Sequence, residues 1–416
     1  MLLSIVFFKK SKILHVQNNS IKTRFFILII AFLFGIIKMK KRRAYIMKIK
    51  NVMIKSFLIV MSVLTILTGC SKSDPIDAED TSVTESVAES TKTKAPSETA
   101  DRDYIKFKNP WKTGIEVEAY DGEKITLRTV EIDIAGDGQP IEIYHLTDVH
   151  FNSYYESEDA NVKASYGEWG DIADNDDIVA NLKRCVNYAA NADGIVVTGD
   201  IMNFYSQANC DLVEKYIFNA KDNINSAIKA KIIAVCGNHD ATLPGANNKK
   251  DIHTANQAKL EALYSKYGQD LKYYREIIDE RVMIIQMDNA MANDVESAHF
   301  TDAQAALLEA DIQTAHAKGY TVLLFYHIPL PSMNTEDSFQ GYYDGMNKYS
   351  DADKKVYNII TNNADVIKGC FAGHTHADSY SEIVAKTSAG KKAFVPQYVL
   401  KALYLENGAM TKITLK

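Results

Sequence analysis

Only five cysteines occur in 416 residues, and no two of them form a CxxC pair. That argues against a disulfide-scaffolded fold and against a zinc knuckle. Cys236 and Cys370 sit in apolar runs and read as small buried hydrophobes. A disulfide between two of Cys185, Cys210, Cys236 and Cys370 stays open at this level. No GxSxG elbow and no P-loop occurs, so neither a serine nucleophile nor a phosphate-cradling loop is on offer. No internal repeat is visible. Acidic residues are missing from the first 70 positions, which carry 13 of the 47 Lys and Arg. The remainder holds 34 basic against 53 acidic residues, a balance near −19. Such a surface repels nucleic acid and anionic lipid head groups.

What is present starts with two apolar segments. Phe25 to Ile37 is short for a membrane-spanning helix, which needs about 20 residues. The second segment follows Met47: Lys48, Lys50 and Lys55, then the apolar Phe57 to Leu64, then Leu67-Thr68-Gly69-Cys70. A positive region, an apolar region and a small-residue cleavage site make a secretory signal. Its last four residues resemble a bacterial lipobox, which implies lipid attachment at Cys70 and an extracytoplasmic, membrane-anchored lipoprotein. Residues 47–70 are therefore expected to be a lipoprotein signal peptide. Residues 1–46 are then either translated upstream sequence, with Met47 the true start, or an extra membrane segment. Residues 71–103 are Ser, Thr, Asp, Glu, Lys, Ala and Pro with few large apolar side chains, and are expected to be a disordered tether.

The rest, 104–416, reads as one α/β domain. Hydrophobic residues make up 46% of the chain and charged residues 24%, ordinary globular values that allow a sizeable core. Thr126 to Ile134 alternates as an edge strand would. Helical patterns over Asp176 to Ala190, Asn209 to Ala230 and Thr254 to Tyr267 each follow an apolar run. Thr301-Asp302-Ala303-Gln304 opens a helix over Ala305 to Lys318 as a capping box would. Asp351 to Asn363 is a further helix. This βαβα order calls for a largely parallel, helix-covered sheet. Ser381 to Lys386, Ala393 to Leu400 and Met410 to Leu415 then look like strands without helices between them. Asn407-Gly408 is a turn signal before the last.

Five apolar runs end in Asp, His or Asn. They lead into Asp148-Val149-His150, Gly199-Asp200, Gly237-Asn238-His239-Asp240, His327, and Gly373-His374-Thr375-His376. Ligands of open α/β sheets bind at the carboxyl ends of strands. On extended backbone, Asp148 and His150 would face one way, and so would His374 and His376. Mixed carboxylate, imidazole and amide donors suit manganese, zinc or iron better than copper(I) or calcium. Seven such donors are too many for one tetrahedral site but fit two cations sharing a carboxylate. No basic cluster flanks these motifs, which argues against polyanionic substrates. Tyr154, Tyr155, Tyr166 and Trp169, with the loop Phe339 to Tyr349, either wall a pocket or are ordinary loop packing. Asn203 either orients neighbouring groups or caps a turn. His145, His253, His299 and His316 read as surface or packing residues.

Together the five blocks, in this order from about Ile141 to His376, resemble those of the calcineurin-like metallophosphoesterases. The resemblance implies a four-layer αββα sandwich with a dinuclear site of divalent or trivalent ions. It places Asp148, His150 and His376 on one metal, Asn238, His327 and His374 on the other, and Asp200 between them. It also makes His239 the general acid, steered by Asp240. Two such metals depress the pKa of a bridging water, which attacks phosphorus in line while the acid protonates the leaving oxygen. The expected activity is hydrolysis of a small phosphomonoester or phosphodiester. The alternatives are a phosphodiesterase for nucleotides or lipid head groups, and a metal-containing lipoprotein that binds phosphorylated ligands without turnover. Translation is expected to begin at Met47, and N-terminal sequencing of the unprocessed precursor checks it: a start at Met1 overturns the assignment.

Overall fold

The computed structural model describes residues 105–107, 116–120, 123–134, 138–170, 172–246, 249–291, 299–330, 350–405 and 407–416. The expected signal peptide with Cys70, the tether, residues 1–46 and the loop Phe339 to Tyr349 lie outside them. Among the described residues, no helix is long and apolar enough to cross a membrane.

Two mixed sheets carry the fold. The first holds β1 (Ile105–Phe107), β2 (Glu116–Tyr120), β3 (Glu123–Ile132), β4 (Ile141–Leu146), β5 (Gly194–Thr198), β6 (Ile232–Val235) and β13 (Ala409–Leu415). Its order is β1-β3-β13-β4-β5-β6, with β2 also paired to β3. The second, in order β11-β12-β10-β9-β8-β7, holds β7 (Tyr273–Ile278), β8 (Val282–Met287), β9 (Thr321–Phe325), β10 (Ile367–Ala372), β11 (Ser379–Lys386) and β12 (Lys392–Val399). Strands β4, β5 and β6 run parallel in the first sheet, and β8, β9, β10 and β12 in the second.

Continuous apolar runs such as Ile195-Val196-Val197 are what a strand buried on both faces requires. Side chains alternate across the pleat, so one run feeds two cores. Ile195 and Val197 pack outward with Ile178 and Leu182 of α2 (Asn175–Tyr188) and Leu260 of α5 (Lys249–Lys266). Val196 turns inward and meets Leu323, Phe325 and Phe371 of the other sheet. Leu324 of β9 and Cys370 of β10 face a third cluster with Leu308 and Ile312 of α6 (Asp302–Lys318) and Val356 of α7 (Asp351–Asn362). Helices, sheet, sheet, helices: the architecture is the αββα sandwich. Buried Arg128 of β3 pins the two sheets together. Its Nη1 donates to the carbonyls of Ser379 and Val399 at 3.1 and 3.0 Å.

The capping box at Thr301 is present, and Gly319 ends α6 at φ 74°. Three expectations need correction. The strand at Thr126 is not an edge, because β3 has β13 on one side and β1 and β2 on the other. The helix expected over Asn209 to Ala230 is broken. It runs as α3 (Gln207–Val213), a π-turn (Glu214–Phe218) and the short α4 (Ala220–Asn223). Asn219 breaks it by bonding the Glu214 carbonyl through both its backbone and its side-chain N–H, the local competition typical of asparagine. Third, the helix α1 (Ala160–Trp169) was not anticipated; its one local signal is Asp159, whose carboxylate caps Asn161 and Val162. All four described cysteines are buried and free, which closes the disulfide question among them.

His145 lies in the layer between the sheets, edge-on to Phe325 and Phe371. Burial, helped by nearby Arg128, pushes its pKa down from 6.5 to about 3, with Asp148 opposing. Between those values the unfolded chain binds a proton that the folded chain does not. Stability from this group therefore falls as pH drops through that window, by up to about 1.4 kcal/mol per pH unit. His145→Phe is expected to flatten that slope relative to the parent in urea unfolding measured from pH 7 to pH 4; parallel curves overturn the assignment.

Candidate metal centre

The five motif segments leave the carboxyl ends of β4, β5, β6, β9 and β10, three from one sheet and two from the other. Backbone bonds lace the segments together. Asp148 N donates to Gly199 O at 3.0 Å, His150 N to Asp200 O at 2.9 Å, and Gly373 N to His327 O at 3.0 Å. The expectation that Asp148 and His150 share a face of extended backbone fails. Asp148 (φ 50°), His150 (56°), Asp200 (46°), His374 (73°) and His376 (56°) are all left-handed. Each such residue costs about 1–2 kcal/mol relative to ordinary backbone, although Asp and His tolerate the region better than most. Asp148 and His150 still enter one donor group, whereas His374 and His376 diverge, one into each of two.

The first group is Asp148, His150, Asp200 and His376; the second is Asp200, His327 and His374. Within each, one ligand atom per residue lies within 4.8 Å of the others, and Asp200 belongs to both. His376 Nε2 is 3.2 Å from Asp148 Oδ1 and 3.1 Å from His150 Nε2. His327 Nε2 is 3.2 Å from Asp200 Oδ2, from Asn238 Oδ1 and from His374 Nδ1. Glycines allow this closeness. A Cβ on Gly199 would enter the His327 ring, one on Gly237 the Asp200 carboxylate, and one on Gly373 the Asp148 carboxylate.

Partners behind the ring aim most of these atoms. The Thr198 carbonyl lies 2.9 Å from His327 Nδ1; it can only accept, so Nδ1 carries the proton and Nε2 faces inward. His150 Nδ1 donates to Asn203 Oδ1 at 3.2 Å. The amide orientation follows from Asn203 Nδ2, which donates to the Trp169 carbonyl at 2.8 Å. Asn203 is thus an orienting residue rather than a mere turn cap. Tyr404 Oη stands 3.0 Å from His376 Nδ1, a contact that no sequence signal pointed to.

The electrostatics fit cations. Asp148 Oδ2 accepts the His374 N–H at 2.9 Å, whereas buried Asp148 Oδ1 has no hydrogen-bond partner. Among the described residues, only histidines stand within ion-pair reach of Asp148 and Asp200. Burial alone would raise both carboxyl pKa values, yet His150 and His376 pull Asp148 well below its usual range, and His327 and His239 do so for Asp200. In turn, against the effect of burial, Asp200 and Asp148 draw a proton onto His327, up to about 10. Burial and the neighbouring His327 hold His374 down near 4. A buried carboxylate oxygen with no hydrogen-bond partner and converging imidazole nitrogens, which give up their inward protons on loading, are the donor chemistry that borderline-hard cations take.

His239 lies beside both groups without joining either, its Nε2 3.8 Å from Asp200 Oδ2. Its expected steering by Asp240 is not what the fold provides. Asp240 turns away and accepts from Met202 N at 2.7 Å and Gly237 N at 2.6 Å. Burial and nearby Asp200 push its own pKa up to about 8. The partner of His239 is the backbone carbonyl of Asn203, 2.9 Å from Nδ1. Burial lowers the His239 pKa, with Asp200 opposing. Adjacency in sequence misled here, because consecutive residues of the turn point to opposite sides. His145, His253, His299 and His316 take no part in either donor group.

The model of the calcineurin-like phosphoesterases matches residues 141–378. The chain belongs to that family. No curated protein sequence matches it. Among solved structures it is similar to a dimetal phosphatase from Danio rerio, at 14% identity over 63% of this chain and 87% of that one, with a TM-score of 0.38. As a calcineurin-like phosphoesterase the chain is a metal-dependent hydrolase of phosphate esters, and the two donor groups are its candidate metal sites.

Proposed function

We propose that this phosphoesterase hydrolyses a small phosphomonoester or phosphodiester outside the cytoplasm, tethered to a membrane through lipid on Cys70. Asp148, His150 and His376 would hold one cation, Asn238, His327 and His374 the other, and Asp200 both. The observation that carries this reading is the Asp200 carboxylate common to the two donor groups. Cations held there would lower the pKa of a bridging water, supply the hydroxide that attacks phosphorus and balance charge on the phosphoryl oxygens. Manganese, zinc and iron all suit the donors.

The chain's own residues do the rest. Thr198, Asn203 and Tyr404 hold three imidazoles with a nitrogen turned inward, so little reorganisation is needed on loading. His239 is the proton donor. With Nδ1 committed to the Asn203 carbonyl, Nε2 is the one ring nitrogen able to meet a leaving oxygen. An arriving phosphate dianion favours the imidazolium, opposing the effect of burial. Asp240 keeps a structural part, closing the turn that carries Asn238 and His239. The tether rests on the lipobox-like Leu67-Thr68-Gly69-Cys70 after an apolar segment. The acidic balance downstream disfavours nucleic-acid substrates.

With manganese, turnover is expected on p-nitrophenyl phosphate or on bis-p-nitrophenyl phosphate, the preferred substrate separating monoesterase from diesterase. Tight binding without release of nitrophenol overturns the hydrolase reading. His239→Ala should lower kcat on a poor-leaving-group substrate of the preferred class by on the order of 10² with metal content unchanged by mass spectrometry. Loss of metal would make His239 a ligand instead. Cys70→Ser should shift the protein out of the lipid-modified membrane fraction in labelling with radioactive palmitate; continued labelling places the anchor elsewhere.

A further inference from the structure

Helix α1 is inserted between the first and second motifs, and it ends on Trp169 against the proton donor. The Trp169 and His239 rings lie 4.2 Å apart at 36°. The His150 ring meets His239 edge-on, with centroids 4.9 Å apart at 82°. The Asn203 carbonyl holds Nδ1. His239 is thus fixed on three sides, with Nε2 left towards Asp200.

These contacts close on themselves. Asn203, whose carbonyl takes the His239 N–H, sends its side-chain amide to the Trp169 carbonyl at 2.8 Å. Asn152, next to the first motif, donates to the carbonyls of Gly170 at 2.9 Å and Ala173 at 3.3 Å. The end of α1 is therefore tied to the same backbone that orients the histidine. Trp169 is only partly buried. Its ring packs against the core beside the first sheet and also carries a side chain of the site, His239, against it.

We propose that Trp169 is a positioning residue that holds the His239 imidazole where the leaving group departs, and so governs how well the enzyme handles poor leaving groups. The inference rests on His239 being the donor. As the bond from phosphorus to the leaving oxygen breaks, its electron pair goes to that oxygen, which takes the Nε2 proton. Neutral imidazole remains, still donating from Nδ1 to Asn203. The incoming hydroxide supplies the new bond to phosphorus. A nitrophenolate departs without that proton, while a phenolate needs it. A loosened His239 should therefore cost activity selectively.

The test measures kcat and KM of the manganese-loaded protein with the nitrophenyl and phenyl esters of the class it prefers. The variants are Trp169→Ala, Trp169→Phe, His239→Ala and the Trp169→Ala/His239→Ala double variant. Trp169→Ala is expected to lose on the order of tenfold in kcat on the phenyl ester and less than about twofold on the nitrophenyl ester. Trp169→Phe should recover most of the loss. In the double variant Trp169→Ala should add nothing, as expected of residues acting through one step. Should Ala unfold α1, Trp169→Leu keeps the bulk and reads the same split. Equal losses on both esters, no loss on either, or additive losses in the double variant overturn the role of Trp169 alone when His239→Ala shows the leaving-group dependence. If His239→Ala itself shows none, the donor assignment falls and this inference with it.

Discussion

The site is organised around one buried carboxylate. Asp200 sits on the chain leaving β5, where the two sheets meet, and belongs to both donor groups. Its Oδ1 accepts the His239 backbone N–H at 2.8 Å, and its Oδ2 faces His327 across from the second sheet. A charge so deeply buried is tolerable only if opposite charge and hydrogen bonds surround it. Gly237 lets its backbone lie against the carboxylate, and Gly199, at φ 79°, lets the His327 ring approach. The segments leaving β5, β6 and β9 thus take their spacing from the need to enclose Asp200.

The αββα arrangement makes that enclosure possible. A single sheet could bring up β4, β5 and β6 only; His327, His374 and His376 come from β9 and β10 of the second sheet. Inter-sheet packing of Val196, Phe325 and Phe371, with Arg128 bonded across the gap, sets how far apart the two sets of strand ends stand. Five left-handed Asp and His residues then re-aim their side chains at the cost of backbone strain, a cost the cores on either side must offset. Among the described residues, every left-handed non-glycine residue outside the Asp279-Glu280 turn between β7 and β8 lies at this one rim, the pattern of a site held by its scaffold.

Much of this was legible in the residue order. The five apolar runs ending in donor side chains, the capping box at Thr301 and the three closing strands all lie near where they were expected. Other features were not legible, for definable reasons. Asp240 follows His239 in sequence, yet the turn sends it to the Gly237 and Met202 amides, while a backbone carbonyl 36 positions away takes the His239 proton. Carbonyls carry no residue-type signal, so no reading of side chains finds such a partner. Tyr404 lies 28 positions after His376 in an irregular segment. Helix α1 has a weak apolar pattern, and only its Asp159 cap announces it.

The sequence by itself determined the kinds of donor present, their order, and the buried strands that deliver them. Composition and alternation are local properties, and they survive in any fold that satisfies them. Tertiary structure brought about the division that the motif resemblance implied, His374 to one group and His376 to the other, although a single residue separates them. It also decided which nitrogen of His150, His327 and His376 faces inward. Those outcomes depend on left-handed backbone angles and on contacts between two sheets. Periodicity along the chain encodes neither, because both arise only when distant strands have packed.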